Sequence, residues 1–126
     1  MFNIPEVPVC LLTVPSCASL MQSALAVRPW ISVIEMASPD RLRDALRELG
    51  ARGVRRLSAI GGRHLATQLI DAGLVQDLYL TTSPIEAGEP NTPLYPRPLP
   101  GRVVLRKKGT GVEAGVTFEH LVLGGF

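Results

Sequence analysis

Residues 54–84, VRRLSAIGGRHLATQLIDAGLVQDLYLTTSP, contain the strongest indication of the fold. Its β-branched and apolar beginning predicts a buried strand over Val54–Ile60. The paired glycines that follow predict a tight turn, and the apolar spacing after them predicts a helix from about Arg63 to Ala72, which Gly73 would close. Asp77–Thr82 predicts the next strand. A strand, a helix and a strand in this order form the repeating unit of a parallel sheet with helices on its faces.

Two strands and a short helix are predicted upstream of this stretch. Val9–Val14 is a continuous apolar run followed by the turn-forming residues Pro15 and Ser16, and it therefore predicts a buried strand. Trp30–Glu35 is rich in β-branched residues and predicts a second strand. Between these strands, Ser19–Ala26 predicts a short helix.

A longer helix is predicted after the second strand. Ser38 is placed to cap its beginning, with Pro39 at the first helical position. One apolar face is predicted at helical spacing, formed by Leu42, Ala45, Leu46 and Leu49. Gly50 is predicted to end this helix in the left-handed conformation.

The last third of the chain predicts strands without an intervening helix. Arg102–Lys107 and Val116–Leu123 are separated only by a turn-rich segment, and they can pair as an antiparallel hairpin. The Pro- and Gly-rich residues 87–101 predict an ordered loop before them. The whole pattern predicts one α/β domain over residues 1–126, with a mostly parallel sheet, helices on both faces and a C-terminal antiparallel hairpin.

Composition excludes several classes of protein and partner. The chain has 126 residues, 46% of them hydrophobic, and a formal net charge of +2, which is unlike a disordered chain. No stripe of basic residues with interleaved aromatics is present, so nucleic acid is not expected as a partner, and Arg52, Arg55 and Arg56 are interpreted as a solvated surface group. No apolar run is long enough to span a bilayer, so no membrane association is expected.

The cysteines and the beginning of the chain point to the cytoplasm. Cys10 and Cys17 have the spacing of neither a disulfide framework nor a zinc site, and buried free thiols in a reducing compartment are expected. The beginning lacks a basic region followed by a long apolar core, so no secretory signal is expected. The spacing of metal-ligating residues predicts no metal site.

The candidate chemistry lies at the junction between the predicted third strand and the helix after it. Ligands of open α/β sheets collect at the carboxyl ends of strands. Gly61 and Gly62 would let a ligand approach the backbone closely, and the free amides from about Gly62 to Leu65 can bind an anion such as a pyrophosphate. Arg63 can add a charge-assisted hydrogen bond to a phosphate oxygen. The pattern alone is also compatible with a plain tight turn.

Other polar residues carry weaker signals. His64, in the first turn of that helix, is either a ligand contact or a surface histidine. His120 lies on the predicted last strand and is interpreted as a structural histidine. No Gly-x-Ser-x-Gly motif is present, so nucleophilic hydrolysis has no support. Among the carboxylates, Glu35, Asp77 and Glu86 all have ordinary surface or capping interpretations, and the catalytic residues stay unknown.

From about Trp30 to Phe126 the sequence resembles the C-terminal reductase domain of the bifunctional riboflavin-biosynthesis deaminase/reductases, within the dihydrofolate reductase-like superfamily. The matching pattern is a hydrophobic strand, Gly61-Gly62, a helix, the run from Gly73 to Leu78, and a strand that ends at Pro84. The resemblance implies a three-layer dihydrofolate reductase-like fold that is N-terminally shortened, because full-length members carry strands and a helix before the equivalent of VCLLTV.

The same resemblance implies an activity and a set of binding residues. It implies an NADPH-dependent oxidoreductase acting on a small heterocyclic or ribosyl-pyrimidine substrate, similar to 5-amino-6-(5-phosphoribosylamino)uracil reductase, and a homodimer, since dimers are common among the riboflavin reductases. The cofactor-binding residues that it implies are Gly61, Gly62, Arg63, His64 and Leu65, with Thr13 and Ser16 on the adenosine side. Ile60 departs from the glutamate that usually precedes the paired glycines. The alternatives are a truncated, non-catalytic NADP(H)-binding or dimerisation module, and a phosphate binder without redox chemistry.

Overall fold

The computed structural model describes residues 2–85, 87–89 and 92–124. Glu86, one of the carboxylates considered above, lies outside the described residues. The chain divides into two compact units, Met1–Ser58 and Ala59–Phe126, and each is described by itself.

The first unit is built on a pair of parallel strands. Strands β1 (Val9–Thr13) and β2 (Ile31–Glu35) run side by side, as predicted from their apolar runs. Two short helices connect them, α1 (Pro15–Leu20) and α2 (Gln22–Ala26). The predicted turn at Pro15 was therefore wrong, because Pro15 occupies the first position of α1, where its missing N–H costs no helical hydrogen bond.

Helix α3 (Leu42–Ala51) follows β2 and contacts it. It begins later than predicted, because its N-cap position is Arg41, and Ser38 instead donates a hydrogen bond to the Asp40 carboxylate. The predicted apolar face is confirmed, with Leu42 and Ala45 buried.

The end of α3 also lies beyond the predicted residue. Gly50 is helical, and Gly53 takes the left-handed conformation with φ +95°. The Val54 N–H then donates to the Leu49 carbonyl at 3.0 Å, and the Gly53 N–H donates to the Gly50 carbonyl at 3.0 Å. This is the hydrogen-bond pattern of a Schellman motif, which only a left-handed residue at that position allows.

The predicted third strand over Val54–Ile60 is not formed. These residues belong to neither a helix nor a strand, and all are exposed. A strand is held by hydrogen bonds to a neighbouring strand, and the strand pairs of the described residues do not include this segment. Although β-branched residues favour strands, this segment has no neighbouring strand with which to form hydrogen bonds.

The described residues of the second unit form an α-helix, a 3-10 turn (Gly111–Glu113) and an antiparallel sheet. Helix α4 (Arg63–Asp71) confirms the prediction, and Gly73 ends it with φ +65°. Strands β3 (Asp77–Thr82), β4 (Arg102–Lys108) and β5 (Thr117–Val122) form a sheet in the order β3-β5-β4. The predicted hairpin of β4 and β5 is confirmed, with a bulge between Val103 and Leu105.

Small apolar cores lie in each unit. Ile34, Met36, Leu42 and Ala45 are buried in the first unit, and Leu69, Ile70, Leu74 and Leu121 are buried in the second. Within the described part of the chain, no helix has the length and apolar character needed to cross a bilayer. The mixed α/β character predicted from the sequence is thus confirmed.

Part of the Pro-rich loop is attached to the end of α4. The Tyr95 hydroxyl donates to Asp71 Oδ1 at 2.7 Å, and the Arg97 guanidinium also binds this carboxylate. The guanidinium of Arg97 lies 5.0 Å from the centre of the Tyr95 ring. These contacts hold the pKa of Asp71 below its usual value, chiefly through Arg97 and then through Tyr95.

The cysteines are free, as predicted, but Cys10 and Cys17 are both exposed. The predicted burial was wrong: Cys10 is the exposed residue of β1, and Cys17 lies on α1, which has no buried residue.

Candidate functional site

The paired glycines open helix α4. Gly62 is its N-cap, with extended backbone angles of φ −72° and ψ 175° and no side-chain cap. The Ala66 N–H makes the first helical hydrogen bond, to the Gly62 carbonyl at 3.1 Å. Helix geometry leaves the amides before that bond without intrahelical partners, and they lie at the positive end of the helix dipole. This arrangement can receive an anion.

The two glycines at the beginning of α4 differ in the space around them. A Cβ atom at Gly61 would lie 2.7 Å from Leu65 Cδ2, whereas a Cβ atom at Gly62 would meet nothing within 4 Å. Neither has the positive φ that demands glycine. A side chain at Gly61 would therefore require the exposed Leu65 side chain to move, whereas the space next to Gly62 is free.

The other residues predicted at this site lie beside the glycines. Arg63, His64 and Leu65 form the first turn of α4 and are all exposed. Ile60, directly before the turn, is 98% exposed. The sequence-predicted group 61–65 is thus continuous and accessible at the beginning of one helix.

Thr13 and Ser16, the residues predicted on the adenosine side, lie in the first unit. Thr13 is the last residue of β1, and its carbonyl accepts a hydrogen bond from the Met36 N–H at 2.7 Å. Ser16 is exposed in the first turn of α1. The structure brings these two residues near the carboxyl end of β1, and residues 61–65 belong to the other unit.

An open pocket of about 440 Å³, not predicted from the sequence, lies between the end of β2 and α3. Glu35, Asp44, Glu48 and Arg52 provide its charged lining. Arg52 Nε donates to Glu48 Oε1 at 3.0 Å, and Arg47 approaches Asp44 at 3.2 Å. The sequence signal was the spacing of opposite charges along α3, which is typical of helix surface pairs. The three carboxylates make this pocket a poor anion site.

His120 has partners within the antiparallel sheet. Its Nε2 lies 2.7 Å from Asp77 Oδ1, and its ring stacks on Tyr79 with centroids 4.5 Å apart. These contacts agree with a structural histidine. Across the described ranges, no group of three or more His, Cys, Asp or Glu side chains is placed to hold a metal ion.

A family model described as the RibD C-terminal domain matches residues 6–114. A search of the curated proteins finds no match. The matched range includes the paired glycines, α4 and β3, which are among the elements on which the sequence resemblance depends.

Proposed function

Because the chain belongs to the RibD C-terminal domain family, we propose that it is an NADPH-dependent reductase of a small heterocyclic or ribosyl-pyrimidine substrate, similar to 5-amino-6-(5-phosphoribosylamino)uracil reductase. The observation that carries this proposal is the open beginning of α4. There, uncapped amides face space that no side chain at Gly62 occupies.

The residues fit the diphosphate of a dinucleotide. Amides at a helix N-terminus favour an anion through hydrogen bonds and through the dipole. The exposed Arg63 adds a cation beside them, and a guanidinium matches phosphate geometry. We assign Gly61, Gly62, Arg63, His64 and Leu65 to the diphosphate and its adjoining ribose.

Thr13 and Ser16 are proposed for the adenosine side. Both lie at or just after the carboxyl end of β1, and ligands of α/β sheets collect at such ends. The proposal includes a single dihydrofolate reductase-like domain, in three layers with a mostly parallel sheet. Its support is the family match, which extends across both units. The proposed setting is the cytoplasm, where the free thiols would stay reduced.

When bound, NADPH would supply the hydride. The residues of the chain would contribute orientation, because the helix amides and Arg63 fix the diphosphate and thereby position the rest of the cofactor. The catalytic acid is not assigned.

A thermal-shift comparison of NADPH, NADH and inorganic pyrophosphate tests the proposal. A ligand that binds only the folded state raises the apparent Tm in relation to its excess over Kd. NADPH is expected to give the largest shift at equal concentration and pyrophosphate a smaller one. Equal shifts with all three would support a general phosphate binder, and no shift with NADPH would contradict the proposed function.

Ile60 supports a second candidate, a non-catalytic NADP(H)-binding module. It is apolar and 98% exposed where the riboflavin reductases usually carry glutamate, so it supplies neither an acid nor a hydrogen bond to substrate. Binding of NADPH with no oxidation of the cofactor in the presence of pyrimidine or pterin substrates would favour this candidate over the reductase.

A further inference from the structure

Strand β4 forms one edge of the antiparallel sheet in the second unit. Within the described residues the sheet has the order β3-β5-β4, so β5 is the strand that pairs with β4. All seven residues of β4 are exposed. Because the main-chain groups of a strand point alternately to its two sides, about half of the N–H and C=O groups of β4 are directed away from β5. The outer edge of β4 can therefore receive another extended strand.

The two halves of β4 differ in composition. Its sequence, RVVLRKK, has three apolar residues after the first arginine and three cations at its end. Leu105, between these halves, is 62% exposed. The register with β5 shifts between Val103 and Leu105 and is regular over residues 105–108. The outer edge thus presents apolar side chains first and positive charges afterwards, and the charged half is the regular half.

Most of the positive charge of β4 is available to a partner. Arg106 binds Glu119, with 2.7 Å between Nη2 and Oε1. The ion pairs formed among the described residues do not include Arg102, Lys107 or Lys108. Lysine and arginine on an edge strand repel a basic strand and so hinder unspecific association. The same charges attract a strand of opposite charge.

We propose that the outer edge of β4 binds an acidic, extended segment of another protein by strand addition. In this mode of recognition the main-chain hydrogen bonds provide affinity, and the side chains provide specificity. An antiparallel segment continues the antiparallel pattern of the sheet. Its acidic residues come first and lie opposite residues 106–108, and its β-branched residues follow and lie opposite residues 103–105.

A second β4 strand is a poor occupant of this edge. Antiparallel pairing of two such strands centred on Leu105 would place Arg102 opposite Lys108. It would also place Lys107 opposite Val103. Like charges directly opposite each other destabilise a sheet, and a lysine opposite a valine gains no attraction. A segment of a different chain, with negative charges at the matching positions, fits this edge better.

Fluorescence anisotropy with the fluorescein-labelled peptide EEETVTV tests the proposal. In the antiparallel register its glutamates lie opposite the cations of β4, and its β-branched residues lie opposite the apolar half. The control peptide VTVTEEE has the same composition and charge in reverse order. We expect the full chain to bind EEETVTV at least about fivefold more tightly, because cross-strand pairs are matched only in that order.

Reversal of the charges on β4 tests where the peptide binds. Lys107→Glu with Lys108→Glu should raise the Kd for EEETVTV by about tenfold or more, because like charges then lie opposite each other. The matched control is Arg55→Glu with Arg56→Glu, which changes the net charge equally at exposed positions of the other unit. This control should leave the Kd within about twofold.

Two further measurements keep the test decisive. Lys107→Gln with Lys108→Gln should raise the Kd by about threefold, and it replaces the reversed pair if urea denaturation shows that charge reversal unfolds the sheet. Two analogues of EEETVTV carry methyl groups on alternate sets of backbone nitrogens. Only one analogue should lose binding, because only every second N–H of an added strand faces β4.

Four outcomes would overturn the proposal. Failure of EEETVTV to bind would exclude the partner, and equal affinity for VTVTEEE would mean unspecific attraction of any polyanion, RNA included. An affinity that is insensitive to the substitutions at Lys107 and Lys108 would place the peptide elsewhere. Equal binding of both methylated analogues would exclude strand addition.

Discussion

Thr13 and Glu35 are directly paired at the carboxyl ends of the parallel strands β1 and β2. The Met36 N–H, one residue further, donates to the Thr13 carbonyl at 2.7 Å. This register places an exposed carboxylate beside the residue that the family resemblance assigns to the adenosine side of the cofactor. NADPH differs from NADH there by a 2′-phosphate, which a neighbouring carboxylate repels, so Glu35 would reduce, without reversing, the preference for NADPH that the proposed function expects.

Glu35→Gln is therefore expected to increase the affinity for NADPH by about fivefold at low salt and to change that for NADH much less. Two unit charges about 4 Å apart in water interact by about 1 kcal/mol, and salt weakens this interaction. Fluorescence titration of both cofactors at low and high salt measures the difference. Glu6→Gln is the control, because Glu6 lies before the amino end of β1. Equal changes for both cofactors would show that Glu35 does not face the phosphate.

Gly62→Val is expected to weaken NADPH binding by about tenfold or more, because a branched side chain would occupy the space in front of the α4 amides. Loss of one hydrogen bond to a charged group costs about 1.5–3 kcal/mol. The fold should be retained, since φ at Gly62 is −72° and a Cβ there meets nothing within 4 Å. We expect the free energy of unfolding to fall by no more than about 1 kcal/mol.

Titration with NADPH and urea denaturation measure these two effects. Gln68→Val, an exposed position on the same helix, is the matched control and should bind NADPH normally. An unchanged affinity of Gly62→Val for NADPH would show that the diphosphate does not bind at the beginning of α4.

Gly50→Ala and Gly53→Ala are expected to change stability in opposite directions. Gly50 is inside α3 with open space where the methyl group of an alanine would lie, so alanine should add about 0.5–1 kcal/mol to the free energy of unfolding. Gly53 has φ +95°, which strains any side chain, so alanine should destabilise by about 1 kcal/mol or more. Urea denaturation compares both variants with the wild type. If Gly50→Ala destabilised the protein and Gly53→Ala stabilised it, the end of α3 would lie at Gly50.

Asp71→Asn is expected to destabilise the protein at neutral pH and to lose that effect in acid. Hydrogen bonds from Arg97 and Tyr95 hold the pKa of the Asp71 carboxyl below its ordinary value of 3.8. A lowered folded-state pKa stabilises the fold above the unfolded value, and this contribution disappears as the pH falls through the folded value.

Urea midpoints of the wild type and Asp71→Asn should therefore differ at pH 7 and converge below pH 3.8. The effect is expected to be small because the pair is exposed. Glu113→Gln, in the 3-10 turn before β5, is the control for removal of a surface carboxylate. A gap of constant size across the acid range would mean that the charge of Asp71 is not the cause.

Much of the fold follows from patterns of neighbouring residues. The bounds of β3 and the beginning of α4 match their predictions, because alternating and helical apolar spacing are local signals. The ends of α3 were not predicted correctly, since Ser38 donates to Asp40 instead of capping the helix, and the left-handed residue is Gly53 rather than Gly50. Several residues near a helix end can compete for the same cap, and the choice depends on which one lets the helix bury more apolar surface.

The candidate site, too, could be predicted only where its residues are neighbours in the sequence. Residues 61–65 could be predicted because glycines and a helix beginning are adjacent in sequence. The pocket lined by Glu35 and Asp44 could not, because its residues come together only when β2 and α3 pack against each other.

Local sequence patterns were enough to locate most helices and strands, the glycine turn before α4, and the family to which the chain belongs. The tertiary structure decided which strands have partners: β1 pairs with β2 and β5 lies between β3 and β4, while Val54–Ile60 stays unpaired. The physical reason is that helical hydrogen bonds close within a few residues, whereas a strand forms only when a segment far along the chain supplies the other half of its ladder.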